Sequence, residues 1–219
     1  MPDRGELRGL VVDWGGVLTS SLTDGLEAWA AADGIDYADY RAAMKALLGN
    51  DSDVEVRFNP VHALERGELE VPAFEEHLGA ALSARLGRPV PTEGLLARMF
   101  DQFGHAADMV GLVRRAHDAG IRTALLSNSW GNDYPREGWD KMFDVVVISG
   151  EVGMRKPDAD IFEHTLDLLD LPARDCVFVD DLRRNVAAAV TLGFVGVHHV
   201  DYASTAAELT ALFRVPLQE

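Results

Sequence analysis

A chain of 219 residues amounts to about one and a half domains at roughly 150 residues each, so one core with a sizeable insertion, or two small domains, is expected. With 47% hydrophobic and 26% charged residues, it lies outside the low-hydrophobicity class of disordered chains. Lys plus Arg number 20 against 36 Asp plus Glu, a formal charge of -16; such a surface repels nucleic-acid phosphates and anionic membranes. A small molecule is the expected partner, and a phosphorylated one stays possible because a local cation can hold it.

The single cysteine, Cys176, rules out an internal disulfide and a Cys-based zinc site. The first nine residues carry both signs of charge, and no run of ~18 apolar residues occurs anywhere. A cytoplasmic protein is the expectation.

In chain order, the first apolar run is Leu7 to Trp14, centred on Leu10-Val11-Val12 and ending at Asp13. From about Ser20 to Gly104 the pattern is helical throughout: Leu22 to Asp33, Tyr37 to Leu48, Val61 to Arg66, Pro72 to Leu86 and Glu93 to Asp101. Strand and helix patterns then alternate. Runs at Ile121 to Asn128, Val145 to Gly150, Cys176 to Asp181 and Phe194 to Val200 read as strands, short, β-branched and apolar on both faces. Helices are expected at Asp108 to Ala119, Asp158 to Leu169 and Arg183 to Leu192, with Gly120 and Gly193 placed to end two of them. This order predicts an α/β fold, a doubly wound, Rossmann-like parallel sheet with right-handed crossovers. The predicted domains are an α/β core of residues 1–19 and 105–219 and a helical cap of residues 20–104, inserted over the carboxyl ends of the strands where open α/β sheets bind ligands.

The polar residues gather at those ends. Asp13 closes the first run, Ser127 and Asn128 the second, Lys156 follows the third, and Asp180-Asp181 closes the fourth. A carboxylate, a hydroxyl, a cation and an acidic pair on one edge make a phosphoryl-transfer site.

The strings VVDWGGVLT (Val11 to Thr19), LLSNSW (Leu125 to Trp130), GMRKPDADIF (Gly153 to Phe162) and VFVDDLRRN (Val177 to Asn185) stand in that order. In them the chain resembles the haloacid dehalogenase-like hydrolases, most closely the phosphatases with a helical cap after strand one. HALERGELEVPAFEEHL (His62 to Leu78) is similar to the cap of the sugar-phosphatase and epoxide-hydrolase N-terminal branch. The resemblance implies that Asp13 attacks phosphorus to form an aspartyl-phosphate. It implies that Ser127 binds phosphoryl oxygens and that Lys156 neutralises the nucleophile and the developing charge. It also implies that Asp181, supported by Asp180, holds Mg²⁺ with Asp13 and the Gly15 carbonyl. Asn128 and Gly16 are assigned to the substrate, and Asn128 and Asn185 to orienting neighbours.

Gly15 departs from the family pattern, which has a second Asp there to protonate the leaving oxygen and activate water. Loss of that group, worth about 10² to 10⁴ in rate, points to a slow phosphatase, a substrate with a good leaving group such as an acyl or aryl phosphate, or a substituting group, either a hydroxyl of Thr19, Ser20 or Ser21 or one on the substrate. Two rivals follow: 2-haloacid dehalogenation, in which aspartate attacks carbon without a metal, and a catalytically impaired phospho-ligand or partner-binding protein. The Asp180-Asp181 pair argues against the first. Cys176 reads as a small buried hydrophobe, His198 and His199 as residues on opposite strand faces. Arg57, His62 and Arg66 of the cap, and Trp130, are candidates to touch substrate, against the default of helix-surface charges and packing aromatics.

Overall fold

The computed structural model describes residues 6–49, 59–131 and 133–218. The expected strands form a five-stranded, all-parallel sheet: β1 (Gly9–Val12), β2 (Arg122–Ser127), β3 (Val145–Ile148), β4 (Cys176–Asp180) and β5 (Val195–His198), in spatial order β3-β2-β1-β4-β5. β1 is therefore central, with Val12 paired to Leu125 on one side and Val179 on the other. The residue after each of these strands leaves the sheet at the same edge.

Side chains of successive strand residues face opposite ways. Leu10, Val12, Leu125, Val177 and Val179 accordingly join one apolar cluster with α6 (Ala107–Asp118) and α10 (Tyr202–Phe213). Val11, Ala124, Leu126 and Phe178 join the other, with α8 (Ala159–Leu169) and α9 (Arg183–Thr191). Both faces of the sheet are covered, which is why its runs are apolar at every position rather than alternating. Phe162, Phe178 and Phe194 meet edge to face with centroids 5.2 to 6.2 Å apart. Cys176 is buried among these residues.

Two elements differ from the sequence expectation. The run at Val145 stops at Ile148 because Ser149–Val152 turns into a short helix, α7. The C-terminal helix α10 has no counterpart in the sequence reading; its Ala-rich face gives a weak apolar period, although Asp201 caps it by accepting from the Ser204 N–H at 2.8 Å.

Between β1 and α6 the described residues form five helices: α1 (Leu22–Ala32), α2 (Tyr37–Leu48), α3 (Pro60–Glu65), α4 (Val71–Leu86) and α5 (Leu95–Phe100). Ser21, Asp36 and Asn59 cap three of them through side-chain oxygens. The helices close around their own apolar centre of Trp29, Phe74, Leu78, Leu82 and Leu96. The chain enters and leaves this layer side by side. Thr19 and His105 form an antiparallel bridge, and the Ser20 N–H donates to the Gly104 carbonyl at 2.7 Å.

A second attachment lies on α3. The Arg155 guanidinium donates to Glu65 Oε2 at 2.6 Å, both side chains less than a tenth exposed, and the Ser149 hydroxyl donates to the Glu65 carbonyl. Beside them Gly67 adopts φ +69°, and a Cβ there would sit 2.4 Å from the Gly150 carbonyl oxygen. Glycine is required on both counts. Among the described residues, no helix is long and apolar enough to cross a membrane.

Candidate active site

Chain segments far apart in sequence deliver polar groups to the carboxyl edge of the sheet. Asp13 follows β1, and its backbone N–H still pairs with the Val179 carbonyl at 3.0 Å, so the ladder fixes the backbone that carries the carboxylate. Its Oδ1 accepts from the Trp14 N–H at 2.7 Å and from Lys156 Nζ at 2.8 Å.

Lys156 is fully buried, and its ammonium meets Asp13, Asp180 Oδ2 at 2.7 Å and the Leu126 carbonyl at 2.9 Å. An ammonium has three donors, and each has found a partner. Burial disfavours the charged amine, yet the carboxylates of Asp13 and Asp180 outweigh it and raise its pKa above the ordinary lysine value.

Asp180 is equally engaged. It accepts from Lys156, from the Leu182 N–H at 2.8 Å and from the Asn185 amide at 3.0 and 3.1 Å. With no exposed surface, it stands behind the site and positions Lys156 and the turn into α9.

Asp181 is different. Its Oδ1 is buried with no hydrogen-bond partner, and burial followed by the Asp180 charge pushes its pKa up to about 6. Burial also raises the Asp13 carboxyl, with Lys156 opposing and the Asp180 and Asp181 charges adding to the rise. Oxygens of Asp13, Asp180 and Asp181 lie within 4.8 Å of one another. Three carboxylates thus face one ammonium, with a buried oxygen left over, a donor set that fits a hard divalent cation.

Gly16 makes this closeness possible. It has φ +70°, and a Cβ on it would lie 2.6 Å from Asp181 Oδ2; its N–H donates to Thr19 Oγ1 at 2.9 Å. Gly16→Ala is expected to destabilise the protein by about 1–2 kcal/mol from the left-handed backbone alone. That is a fall in Tm of roughly 2–8 °C, read by calorimetry against Gly15→Ala. The control is mild because a Cβ on Gly15 meets only Leu22 Cδ2, at 3.4 Å.

Ser127, at the end of β2, shares a hydrogen bond of 2.9 Å with the Tyr134 hydroxyl. Burial, the main cause, pushes that phenol up to about 12. Asn128 exchanges two bonds with the Lys156 backbone, donating to its carbonyl at 3.0 Å and accepting from its N–H at 2.8 Å. The amide thereby ties the end of β2 to the lysine loop.

Asp13, Gly15, Ser127, Asn128, Lys156 and Asp181 all line one cleft of about 510 Å³. Asp180 lies behind it. Of the other sequence candidates, Trp130 lines the cleft and packs on Phe74, Arg66 pairs with Glu68 at 2.7 Å, and Arg57 lies outside the described residues. His62 sits in α3, one turn before the buried Glu65 pair. His198 and His199 turn to the Asp181 carbonyl and to Thr205. Sequence reasoning missed Tyr134 and the Glu65–Arg155 pair.

A parallel sheet with carboxylates, a buried lysine and a hydroxyl converging on one edge defines an α/β hydrolase site. Residues 7–193 match the family model of the haloacid dehalogenase-like hydrolases, and the chain belongs to that family. It is 38% identical over 156 residues to the sesquiterpene phosphatase astK of Aspergillus oryzae, covering 68% of this chain and 76% of that protein. It is 30% identical over 222 residues to acyl-CoA dehydrogenase family member 10 of Mus musculus, covering 96% of this chain and 19% of that longer one. Among solved structures, a predicted HAD-like family hydrolase of Porphyromonas gingivalis shares the fold with a TM-score of 0.67, 23% identity and coverage of 96% and 99%. A HAD family enzyme of Bacteroides thetaiotaomicron, complexed with magnesium and inorganic phosphate, gives 0.64 at 17% identity, covering 91% and 98%.

Proposed function

We propose that the protein is a magnesium-dependent phosphatase that hydrolyses a small phosphorylated metabolite in the cytoplasm through an aspartyl-phosphate on Asp13. The observation that carries this reading is the Asp13 carboxylate, held by Lys156 Nζ at 2.8 Å on the floor of an open cleft beside the unpartnered oxygen of Asp181. The phosphatase relative supports it from the side of sequence.

The bonds to Trp14 and Lys156 both fall on Oδ1 of Asp13, which leaves Oδ2 to attack phosphorus. As the new P–O bond forms, the bond to the alcohol oxygen breaks, and that oxygen takes its proton from water, since Gly15 offers no acid. A second water then attacks phosphorus, loses a proton and displaces the Asp13 carboxylate, releasing inorganic phosphate. Ser127 donates to a phosphoryl oxygen, with Tyr134 fixing its hydroxyl. Lys156 stays charged throughout and offsets negative charge developing on the phosphoryl group. Asp13, Asp181 and the Gly15 carbonyl, with Asp180 behind, would hold Mg²⁺, which supplies further charge neutralisation for phosphoryl transfer.

Residues 20–104 act as the cap that shields this chemistry from bulk water, over a core of residues 1–19 and 105–219. Dehalogenation by attack on carbon needs no cation and gives the buried oxygen of Asp181 no use. The test is phosphate release from an aryl phosphate with Mg²⁺. Asp13→Asn, which keeps the shape of the side chain, is expected to lower turnover by at least about 10³-fold, with circular dichroism at the assay temperature showing that the variant is folded. Wild-type turnover in that variant sinks the proposal.

A further inference from the structure

The helical layer's share of the cleft is mostly hydrocarbon, while the polar lining beyond the catalytic edge, Asp133, Arg184 and Asn185 among it, comes from the core. The helical layer contributes Leu22, Leu26, Met44, Val61, Met99 and Phe103, and its one charged residue among the described lining is Glu65, whose carboxylate is already bound to Arg155 at 2.6 Å. On the core side the indole of Trp130 continues this surface and leans on Phe74 with centroids 5.4 Å apart. Leu22 comes within 3.4 Å of the position a Gly15 Cβ would take, so the apolar wall begins directly beside the phosphoryl site, where the leaving group must lie.

A sugar or nucleotide placed against the helical layer would surrender hydrogen bonds to water and recover few from that side, where the lining residues are apolar apart from Tyr40 and the already paired Glu65. Polyol recognition needs converging donors and acceptors, and each buried hydroxyl left unpaired is penalised. A hydrocarbon has no such requirement and gains from each buried methylene. The volume of about 510 Å³ falls in the range of roughly 300–1,000 Å³ that encloses whole organic ligands, far more than phosphate alone would need.

We infer that the substrate is the phosphate of an apolar, predominantly hydrocarbon alcohol, with its chain or ring system against the α1, α2 and α5 side of the cleft and its phosphoryl group on Asp13. This rests on the phosphatase reading and specifies its substrate class.

The experiment compares kcat/KM for ethyl, butyl, hexyl and octyl phosphate, each below its micelle-forming concentration, and for glucose 6-phosphate. In parallel, Asp13→Asn is titrated calorimetrically with methyl- and octylphosphonate. We expect kcat/KM to rise about two- to fourfold per methylene, octyl phosphate to exceed glucose 6-phosphate, and octylphosphonate to bind more tightly than methylphosphonate. Leu26→Asn, at a half-buried lining position, should reduce the octyl-to-ethyl ratio several-fold, and Leu26→Ala is the milder variant if the amide perturbs folding. Hydrolysis of every ester with no gain from chain length, or with glucose 6-phosphate preferred, overturns this inference and leaves the phosphatase intact. Absence of hydrolysis together with tighter octylphosphonate binding supports the apolar site and overturns the phosphatase. Absence of both overturns the two together.

Discussion

Lys156→Met should lower stability by about 3–5 kcal/mol, the usual consequence of stripping one partner from a buried ion pair, and reduce phosphate release at least 10²-fold, as loss of a preorganised charge does. The side chain it replaces is fully buried and contacts Asp13, Asp180 and the Leu126 carbonyl within 2.9 Å. Methionine fills similar space but leaves two carboxylates facing each other. The sign of the pH dependence follows. Burial already raises the Asp13 carboxyl above its ordinary value of 3.8, and Lys156 opposes that rise. A carboxyl whose folded pKa exceeds its unfolded one favours the fold when protonated and loses that contribution as pH rises through the folded pKa. With the lysine gone the rise is larger, so the deficit relative to wild type is expected to be greater at pH 8 than at pH 5. Denaturant melts at the two pH values, without added metal, measure it; an equal deficit at both would mean that the carboxylates are not what the lysine stabilises.

Gly15→Asp should raise the rate for alkyl phosphates by about 10² to 10⁴ and that for aryl phosphates far less. General acid catalysis of this size is what a positioned carboxyl contributes, and only a basic alkoxide leaving group needs it. The backbone can accept the change, since the nearest neighbour of the new Cβ is Leu22 Cδ2 at 3.4 Å. That leucine would also desolvate the new carboxyl and favour its protonated form, the form able to donate. Rates for a series of leaving groups provide the check. The wild type should show a steep dependence on leaving-group basicity and Gly15→Asp a shallow one. Parallel slopes would place the rate limit elsewhere, in cap motion or product release.

Much of this architecture can be read from the chain. Val11 to Asp13 and Val177 to Asp181 announce central strands because a sheet covered on both faces needs apolar residues at every position, and the polar residue closing each run marks the edge where chemistry gathers. What could not be read depends on contacts without a local period. Glu65 and Arg155 are 90 positions apart and look like two ordinary surface charges until the fold buries them. Tyr134 follows Ser127 through a loop whose path no propensity sets. The resemblance ranks Asp181 above Asp180, but the buried bonds that hold Asp180 to Lys156 and Asn185 are not written in the dipeptide, since adjacent residues are sorted by where β4 ends and α9 begins. Gly16 carries a comparable lesson. The resemblance assigns it to the substrate, and the structure adds what no pattern shows, that its N–H donates to Thr19 and its missing Cβ makes room for Asp181.

The bridge between Thr19 and His105 bears on how such a protein can diversify. Because the ends of the helical layer meet, the sheet experiences it as a single closed loop, with a closure entropy of roughly 4 kcal/mol at this length and only about 0.6 kcal/mol more on doubling. Helices can be lengthened, replaced or repacked between those ends with little effect on the strand register that aims Asp13, Ser127 and Asp181. The main constraint such changes must respect is the seat of α3, where Glu65 meets Arg155 and Gly67 clears Gly150. On the function proposed above, residues of the loop that line the cleft can change by mutation while the sheet edge stays fixed, so that new specificities need not disturb the bond-breaking groups.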